Sequence, residues 1–576
     1  MSYKEMFEFW LQDDYFDQET KNELLAIADN AEEVEDRFYK DLEFGTGGLR
    51  GVIGAGTNRM NFYTVRKATQ GLANYILKQG SADMGVAIAY DSRRFSPEFA
   101  KEAALCLCAN GIKAYLFDAL RPTPELSFAV RKLGCTAGIV VTASHNPPEY
   151  NGYKVYWADG AQVTSPKDVE IIEEVKAVTD YHTVKTMDEE KAKADGLLTI
   201  IGKEIDDAYM VELKKQIVHQ DIIDEVSDEL KIVYSPFNGT GLVPVKRILS
   251  ELGFKNVYVV KEQEMPDPNF TTLAYPNPED PAAFELAIKL AKEVGADIIL
   301  ATDPDADRLG VYALDTKSGE YVPFTGNMSG MLIAEYLLRE KKATGTMPAN
   351  PALVKTIVTT NMSDVITKAY DVKQIEVLTG FKYIGEQIKW FEENNTYNYV
   401  FGLEESYGCL AGTHARDKDA IVAVMCLCEV AAYCKKNGIT LWDQMIKVYE
   451  EYGYFKEGLH TITMKGVTGA QAIKDIMAAL RANPMKELAG LKVLKVRDYD
   501  VNVVTDMATG EKSETGLPKS NVLYFDLEND SWCCARPSGT EPKIKFYMGI
   551  KGESLADADA KLEALKEALI ASIPEV

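Results

Sequence analysis

From about residue 62 onward the chain alternates between two hydrophobic rhythms. Stretches with apolar residues at helical spacing, such as residues 65–79 and 97–110, are followed by short apolar β-rich runs at 85–89 and 113–117. The first spacing puts a stripe on one helix face; the second suits a buried strand. Their alternation predicts βαβ units and a mostly parallel sheet. The pattern restarts at Lys231-Ile232-Val233-Tyr234, turns at Asn238-Gly239-Thr240-Gly241 and ends on Ala296-Asp297-Ile298-Ile299-Leu300-Ala301. It restarts once more at 353–358 and passes Ile375-Glu376-Val377 to reach Tyr399-Val400-Phe401. Residues 1–40 read as acidic and helical. After about Tyr454 the rhythm changes, with strands at 459–464, 494–496 and 522–526 around amphipathic helices. The expected organisation is a helical extension (1–40), three α/β domains that share a plan (41–205, 206–318 and 319–453) and a separate α+β domain (454–576).

Composition agrees and narrows the class. A chain of 576 residues is too long for one core, and 46% hydrophobic with 10% aromatic residues supports well-packed globular domains. No run of apolar residues is long enough to span a bilayer. The nearest imitation, residues 420–434, is interrupted by Glu429 and reads as a buried helix. Met1-Ser2-Tyr3-Lys4-Glu5-Met6 lacks the basic-then-apolar start of a signal sequence, so a cytoplasmic protein is expected. Nine cysteines without a CxxC array read as reduced core thiols. A net charge of −25 argues against nucleic acid and anionic membranes as partners.

The candidate chemistry lies in the loops that leave the apolar runs, the sheet rim where parallel folds bind their ligands. Thr142-Ala143-Ser144-His145-Asn146-Pro147-Pro148-Glu149-Tyr150-Asn151-Gly152-Tyr153-Lys154 follows Ala137-Gly138-Ile139-Val140-Val141. The prolines stop any helix and predict that the Ser144 hydroxyl sits on an irregular, exposed loop, beside an imidazole and upstream of an ammonium. It is not a hydrolase elbow, because Ser144 lacks the flanking glycines. These residues alone leave a serine-rich turn and a site for phosphate chemistry both open. Asp303-Pro304-Asp305-Ala306-Asp307-Arg308 sets three carboxylates on one side of an extended segment, where a hard cation is the simple stabilising partner. It is not a calcium hand, because Arg308 and Leu314 stand where that loop needs Gly and Glu. A solvated acidic turn has the same pattern. Gly402-Leu403-Glu404-Glu405-Ser406-Tyr407-Gly408 turns a carboxylate and a hydroxyl the same way, which suits paired sugar hydroxyls or an ordinary surface loop. Arg536-Pro537-Ser538-Gly539-Thr540-Glu541-Pro542-Lys543-Ile544-Lys545 combines a guanidinium fork, hydroxyls and opened backbone into an anion cradle.

Taken together, and in this order, the strings closely resemble the loops of the α-D-phosphohexomutase superfamily, the phosphoglucomutases and phosphomannomutases. The resemblance covers nearly the whole chain and implies a fold of three related α/β domains with mixed sheets plus a C-terminal α+β domain around a central cleft. It assigns the transferred phosphoryl group to Ser144, which with Asp303, Asp305 and Asp307 would hold one Mg²⁺. Arg308 contacts the same phosphate or forms a salt bridge. Glu404 and Ser406 would grip the sugar. Thr379, Gly380 and Lys382, in Thr379-Gly380-Phe381-Lys382, would tell its two ends apart, with Phe381 where glucose-specific members often carry Trp. Lys418, with His414 and Arg416, belongs to a basic stretch that holds phosphate or hydroxyls. Arg536, Ser538, Gly539, Thr540 and Lys545 would hold the non-reacting phosphate. Arg50, in Phe44-Gly45-Thr46-Gly47-Gly48-Leu49-Arg50-Gly51, would reach the site. Lys154 is the candidate base, ahead of His145 and His414, and charge neutralisation is its other possible role.

Gly47-Gly48, Arg121-Pro122-Thr123-Pro124-Glu125 and the long N-terminus resemble the superfamily's long branch, which includes phosphoglucomutase, phosphopentomutase and glucose-1,6-bisphosphate synthase activities. The implied reaction is hexose 1-phosphate to hexose 6-phosphate, with glucose as sugar and glucose 1,6-bisphosphate as intermediate and activator. The alternatives are the same chemistry on pentose phosphates, bisphosphate synthesis, or phosphosugar binding without turnover. Partners are then small sugar phosphates, with no obligate protein partner implied. An anionic substrate on an acidic protein requires Arg50, Lys154, Arg308, Lys382, Lys418, Arg536 and Lys545 to converge on a positive cleft.

Overall fold

A computed structural model describes residues 2–43, 48–464, 466–538 and 543–573. The extension forms helices Tyr3–Gln12, Gln18–Ile27 and Ala31–Phe38, each started by a side-chain cap from Ser2, Asp17 or Asn30. They close over an aromatic cluster: Trp10 stacks on Phe16 at 4.2 Å, with Phe38, Tyr63 and Tyr181 at its edges. The end of the extension pairs with the turn after strand Gly48–Val52. Asn58 donates its backbone N–H to the Arg37 carbonyl at 2.9 Å, and Leu42 to that of Thr57 at 2.7 Å. The edge strand that carries Arg50 is thereby held from outside its own sheet.

Three α/β units follow. In the first sheet the strand order is Gly48–Val52, Tyr150–Trp157, Ala137–Val141, Val86–Tyr90, Ala114–Phe117, Leu198–Ile201. The last four are parallel, as the strand–helix alternation predicts, and the first two are antiparallel. The second sheet orders Glu320–Phe324, Leu309–Asp315, Ile298–Thr302, Lys231–Ser235, Asn256–Val259, and the third Lys373–Val377, Pro351–Thr356, Asn398–Leu403, Cys409–Ala411. Both are mixed as well. The reason is the same in all three units. A parallel strand (Ala137–Val141, Ile298–Thr302 or Asn398–Leu403) passes through a short loop straight into an antiparallel return strand (Tyr150–Trp157, Leu309–Asp315 or Cys409–Ala411). A loop too short to hold a crossover helix allows no parallel return. Those three loops are the serine, aspartate and glutamate loops of the sequence, so the repeated plan puts each at the same corner of its unit.

Helix Ala420–Lys436 is buried along nearly its whole length, packed between helices of the second and third units. Its apolar run is therefore core. Among the described residues no helix is long and apolar enough to cross a membrane. All nine cysteines are buried and unpaired, and burial pushes thiols such as Cys106 and Cys135 up to about 12. The last part of the chain is an antiparallel sheet backed by helices Gly466–Ala482 and Leu555–Ala571. It docks on the third unit through Ile357, Val358 and Leu378 against Tyr524, Trp532 and Tyr547, with Arg497 3.3 Å from Glu376 at the rim.

Candidate active site

Ser144 is buried, not on an exposed loop as expected, because Arg93 and Asp303 draw the loop against both units. Its φ of +52° lies in the left-handed region that a non-glycine residue occupies at a cost of about 1–3 kcal/mol. Its environment holds it there. The Thr142 hydroxyl accepts from the Ser144 N–H at 2.8 Å and donates to Asp91 at 2.6 Å. Arg93, fully buried on the loop after strand Val86–Tyr90, donates to four carbonyls of the serine loop. Nη1 reaches Pro147 at 2.8 Å and Tyr150 at 3.1 Å, while Nη2 reaches Ser144 and Asn146. Asp91 balances its charge at 3.4 Å, and Phe270 of the second unit lies over the guanidinium at 5.0 Å. The serine side chain then points across units. Oγ donates to Asp303 Oδ2 at 2.7 Å and lies 3.1 Å from His145 Nδ1. Burial, then Arg308 and Arg50, holds the His145 imidazole well below its ordinary pKa, so it is neutral. Arg50 donates to Asn146 Oδ1 at 3.1 Å.

Asp303, Asp305 and Asp307 offer oxygens within 4.8 Å of one another and are all buried. Backbone N–H groups of Asp307 and Arg308 fix Asp303 Oδ1, each at 3.1 Å. Asp305 Oδ1 and Asp307 Oδ1 have no hydrogen-bond partner among the described residues. Buried carboxylate oxygens facing each other without donors are costly unless a cation joins them. Burial, followed by Asp305 and Asp307, drives Asp303 well above the carboxylate range, so the three acids do not all ionise unaided. The donor set, all oxygen and aspartate-rich, fits a hard divalent cation. The solvated acidic turn is thereby ruled out.

Two lysines take part of that neutralising role. Lys154 Nζ lies 2.7 Å from Asp305 and 3.4 Å from Asp307; Lys418 Nζ lies 3.1 Å from Asp307 and 3.0 Å from Asp417. Burial alone would lower both ammonium groups, but the aspartates raise them. Arg308 pairs with Glu279 at 3.0 Å. The expected positive cleft is thus a matched one, in which each of these three cations has a carboxylate.

The loop itself is gripped by backbone from three units. Thr123 N–H donates to the Asp305 carbonyl at 2.9 Å, Thr240 to Pro304 at 2.8 Å and Ala420 to Ala306 at 3.1 Å, and Leu309 N–H donates to Tyr407 at 3.0 Å. Gly239 permits this approach, since a Cβ there would lie 2.4 Å from Pro304 Cα.

On the glutamate loop, the Ser406 hydroxyl donates to Glu404 Oε1 at 2.9 Å. Gly408 leaves room for the Lys418 stem, which a Cβ would meet at 2.1 Å. Glu405 is pushed up to about 7 by burial and then by Glu404, against the pull of Arg536 and Lys545. Arg536 and Lys545 are cross-strand partners between Trp532–Pro537 and Lys543–Gly552. Burial, then Arg536, lowers the Lys545 ammonium, and the charges of Glu279, Glu405 and Arg308 also reach it. Ser538 accompanies them, its N–H on the Lys543 carbonyl at 2.8 Å; Gly539 and Thr540, like residues 44–47, lie outside the described residues. Thr379 Oγ1 is buried without a hydrogen-bond partner among the described residues, beside Gly380 at φ +121°. Lys382 lies over the Tyr383 ring, its ammonium lowered by burial. His414 and Arg416 do not join the cleft. His414 pairs with Asp419 at 2.6 Å and Arg416 pairs with Glu392, so of that basic stretch Lys418 alone meets the aspartates.

Family models match most of the chain: Phosphoglucomutase/phosphomannomutase, alpha/beta/alpha domain I over residues 41–182, domain II over 207–316 and domain III over 325–452. A phosphoglucomutase from Staphylococcus saprophyticus is 37% identical over 533 residues, covering 92% of this chain and 95% of that protein. The chain belongs to the phosphoglucomutase/phosphomannomutase family. Solved structures agree on the fold. A putative phosphomannomutase from Thermus thermophilus superposes with a TM-score of 0.68 at 22% identity, over 92% of this chain and 99% of that one. Paramecium parafusin, a phosphoglucomutase in an open form, gives 0.67 at 19%, over 92% and 94%.

Within this family fold, the serine, aspartate and glutamate loops meet at one place, and the charges of Arg536 and Lys545 reach Glu405 of the glutamate loop. Sequence reading missed Arg93 and Asp91. Their one signal was position: a charged string, Asp91-Ser92-Arg93-Arg94, directly after a buried parallel strand. Glu279 and Asp417, which pair with Arg308 and Lys418, had no comparable signal.

Proposed function

We propose that the protein interconverts hexose 1-phosphate and hexose 6-phosphate, with α-D-glucose as the sugar, through phosphorylated Ser144 and a bound glucose 1,6-bisphosphate. The observation that carries this reading is the 2.7 Å contact between Ser144 Oγ and Asp303, which joins a nucleophile to three carboxylates shaped for a cation. The phosphoglucomutase relative supports the choice of glucose. Asp303, Asp305 and Asp307, with an oxygen of the phosphorylated serine, would hold Mg²⁺. When bound it withdraws charge from the phosphoryl group.

The chain's own residues do the rest. Arg93 and Thr142 hold Ser144 in line, which matters most in a reaction driven by positioning and charge. A sugar hydroxyl attacks phosphorus, the bond from phosphorus to Ser144 Oγ breaks, and the serine oxygen leaves as acceptor for the return transfer. Lys154, kept as an ammonium by Asp305 and Asp307, would neutralise charge on the transferring group instead of acting as the base, and the proton of the attacking hydroxyl passes to the departing Ser144 oxygen. Glu404 and Ser406 hold the sugar, and Thr379, Gly380 and Lys382 read which end is presented. Arg308 and Lys418 supply positive charge beside the transferring group. Arg536, Ser538, Gly539, Thr540 and Lys545 hold the phosphate that is not reacting. The bisphosphate turns over between transfers, so one cradle serves both phosphates.

The test is peptide mass spectrometry before and after glucose 1,6-bisphosphate. One phosphate on Ser144, removed by glucose 6-phosphate, is expected. An unphosphorylated Ser144 under both conditions would leave a phosphosugar-binding protein without turnover. Parallel kinetics on ribose 1-phosphate check the sugar, with glucose 1-phosphate expected to be preferred. Arg536→Ala is expected to raise KM about 10–100-fold with a small change in kcat, because it removes a charge-assisted grip made in ground and transition states alike. A wild-type KM in steady-state assays would remove Arg536 from the cradle.

A further inference from the structure

Thr123 belongs to none of the loops that the family resemblance singles out for chemistry, yet it touches the aspartate loop twice. It opens helix Thr123–Leu133 between Pro122 and Pro124, whose rings fix the backbone of that first turn. The residue is fully buried. Its N–H donates to the Asp305 carbonyl at 2.9 Å, and its hydroxyl donates to Asp305 Oδ2 at 2.7 Å. Lys154 Nζ occupies the same Oδ2 at 2.7 Å. Both donors come from the first unit, while Asp305 belongs to the second. With Oδ2 fixed by two donors, the carboxylate plane is set, and Oδ1 is the oxygen left buried and unpartnered among the described residues. Partners that orient a carboxylate behind a metal govern which oxygen it presents and how tightly it binds.

We infer that Thr123 is a positioning residue for the cation site: its hydroxyl aims Asp305 Oδ1 at the metal, so cation affinity depends on docking of the first unit onto the second. This rests on the reading of the three aspartates as the cation site. Lys154 can swing on its flexible stem, whereas Thr123 is fixed at the helix start, so Thr123 is the part that cannot be replaced by rearrangement.

The test measures Mg²⁺ binding to the purified full chain by calorimetry, with Mn²⁺ followed by electron paramagnetic resonance. Thr123→Val keeps the shape and removes the donor; Thr123→Ser keeps the donor and removes the methyl; Asp305→Asn is the control. Thr123→Val is expected to weaken the cation about 10–100-fold, Thr123→Ser by less than about threefold, and Asp305→Asn more than either. At saturating Mg²⁺ the Val variant should recover most of its kcat, which a lesion in packing would not permit. Wild-type affinity in Thr123→Val overturns the inference, as does equal weakening in Thr123→Ser. Should Thr123→Val not fold, Thr123→Ala must show the same weakening, and wild-type affinity there is equally fatal. If wild type binds no cation in a manner sensitive to Asp305→Asn, it is the cation reading that fails.

Discussion

Ser144→Ala is expected to lower kcat by on the order of a thousandfold or more, while glucose 6-phosphate still binds with near wild-type affinity. The reasoning is geometric. Ser144 Oγ is the hydroxyl that contacts Asp303, and neighbouring Thr142 is committed to Asp91 and to the Ser144 N–H. Alanine keeps the backbone, since Arg93 holds this loop through carbonyls rather than through the side chain. Asp303 loses one donor but keeps the N–H groups of Asp307 and Arg308. Binding and catalysis should therefore separate cleanly. Calorimetry with glucose 6-phosphate, steady-state kinetics and the absence of phosphate in the 142–154 peptide check this together. Retention of more than about 1% of wild-type kcat would end the phosphoserine mechanism.

The second large effect concerns Arg93. Arg93→Lys keeps a buried positive charge beside Asp91 but replaces a planar fork by a point donor, which cannot serve four carbonyls at once. The loop should keep its fold and lose its alignment. A displacement of about 1 Å at the reacting oxygen costs about a hundredfold in rate, so kcat should fall by about that much with KM little changed. Arg93→Met goes further. It strands Asp91 in the core, at a cost of about 3–5 kcal/mol, and the first unit should melt earlier. Kinetics on the lysine variant and thermal melting of the methionine variant read the two roles separately. Wild-type kcat in the lysine variant would reduce Arg93 to a structural ion pair.

Much of the site was legible because its parts are local. Ser144, the aspartates, Glu404 with Ser406, and Arg536 each sit in a continuous string after an apolar run. The residue types alone left ordinary loops open, and the order of the strings along the chain supplied the family resemblance that assigned their roles. The related α/β units could be read from the same rhythm. What sequence could not give was partnership across space. Arg93 serves carbonyls some fifty positions away, and a side chain whose partners are backbone leaves no complementary residue to find. Thr123 appeared only as part of a branch signature. The alternation predicted the parallel strands and the family resemblance implied mixed sheets; periodicity alone could not place the return strands, because it does not distinguish them from strands reached by crossover. The resemblance set His414 and Arg416 with Lys418 in a stretch that holds phosphate or hydroxyls, whereas in the fold they pair with Asp419 and Glu392.

The grip on the aspartate loop also dictates when in synthesis the protein can become active. The Tyr407 carbonyl and the Ala420 N–H that close around Leu309 and Ala306 leave the ribosome well after the loop itself. At about 5–20 residues per second, that delay is on the order of ten seconds. During it, three carboxylates destined for the interior wait in water, and the first two units are complete in sequence yet lack the walls of their own site. Nascent chains stopped before residue 420 should thus be inert rather than partly active, and catalytic competence should appear late, as a single event of assembly.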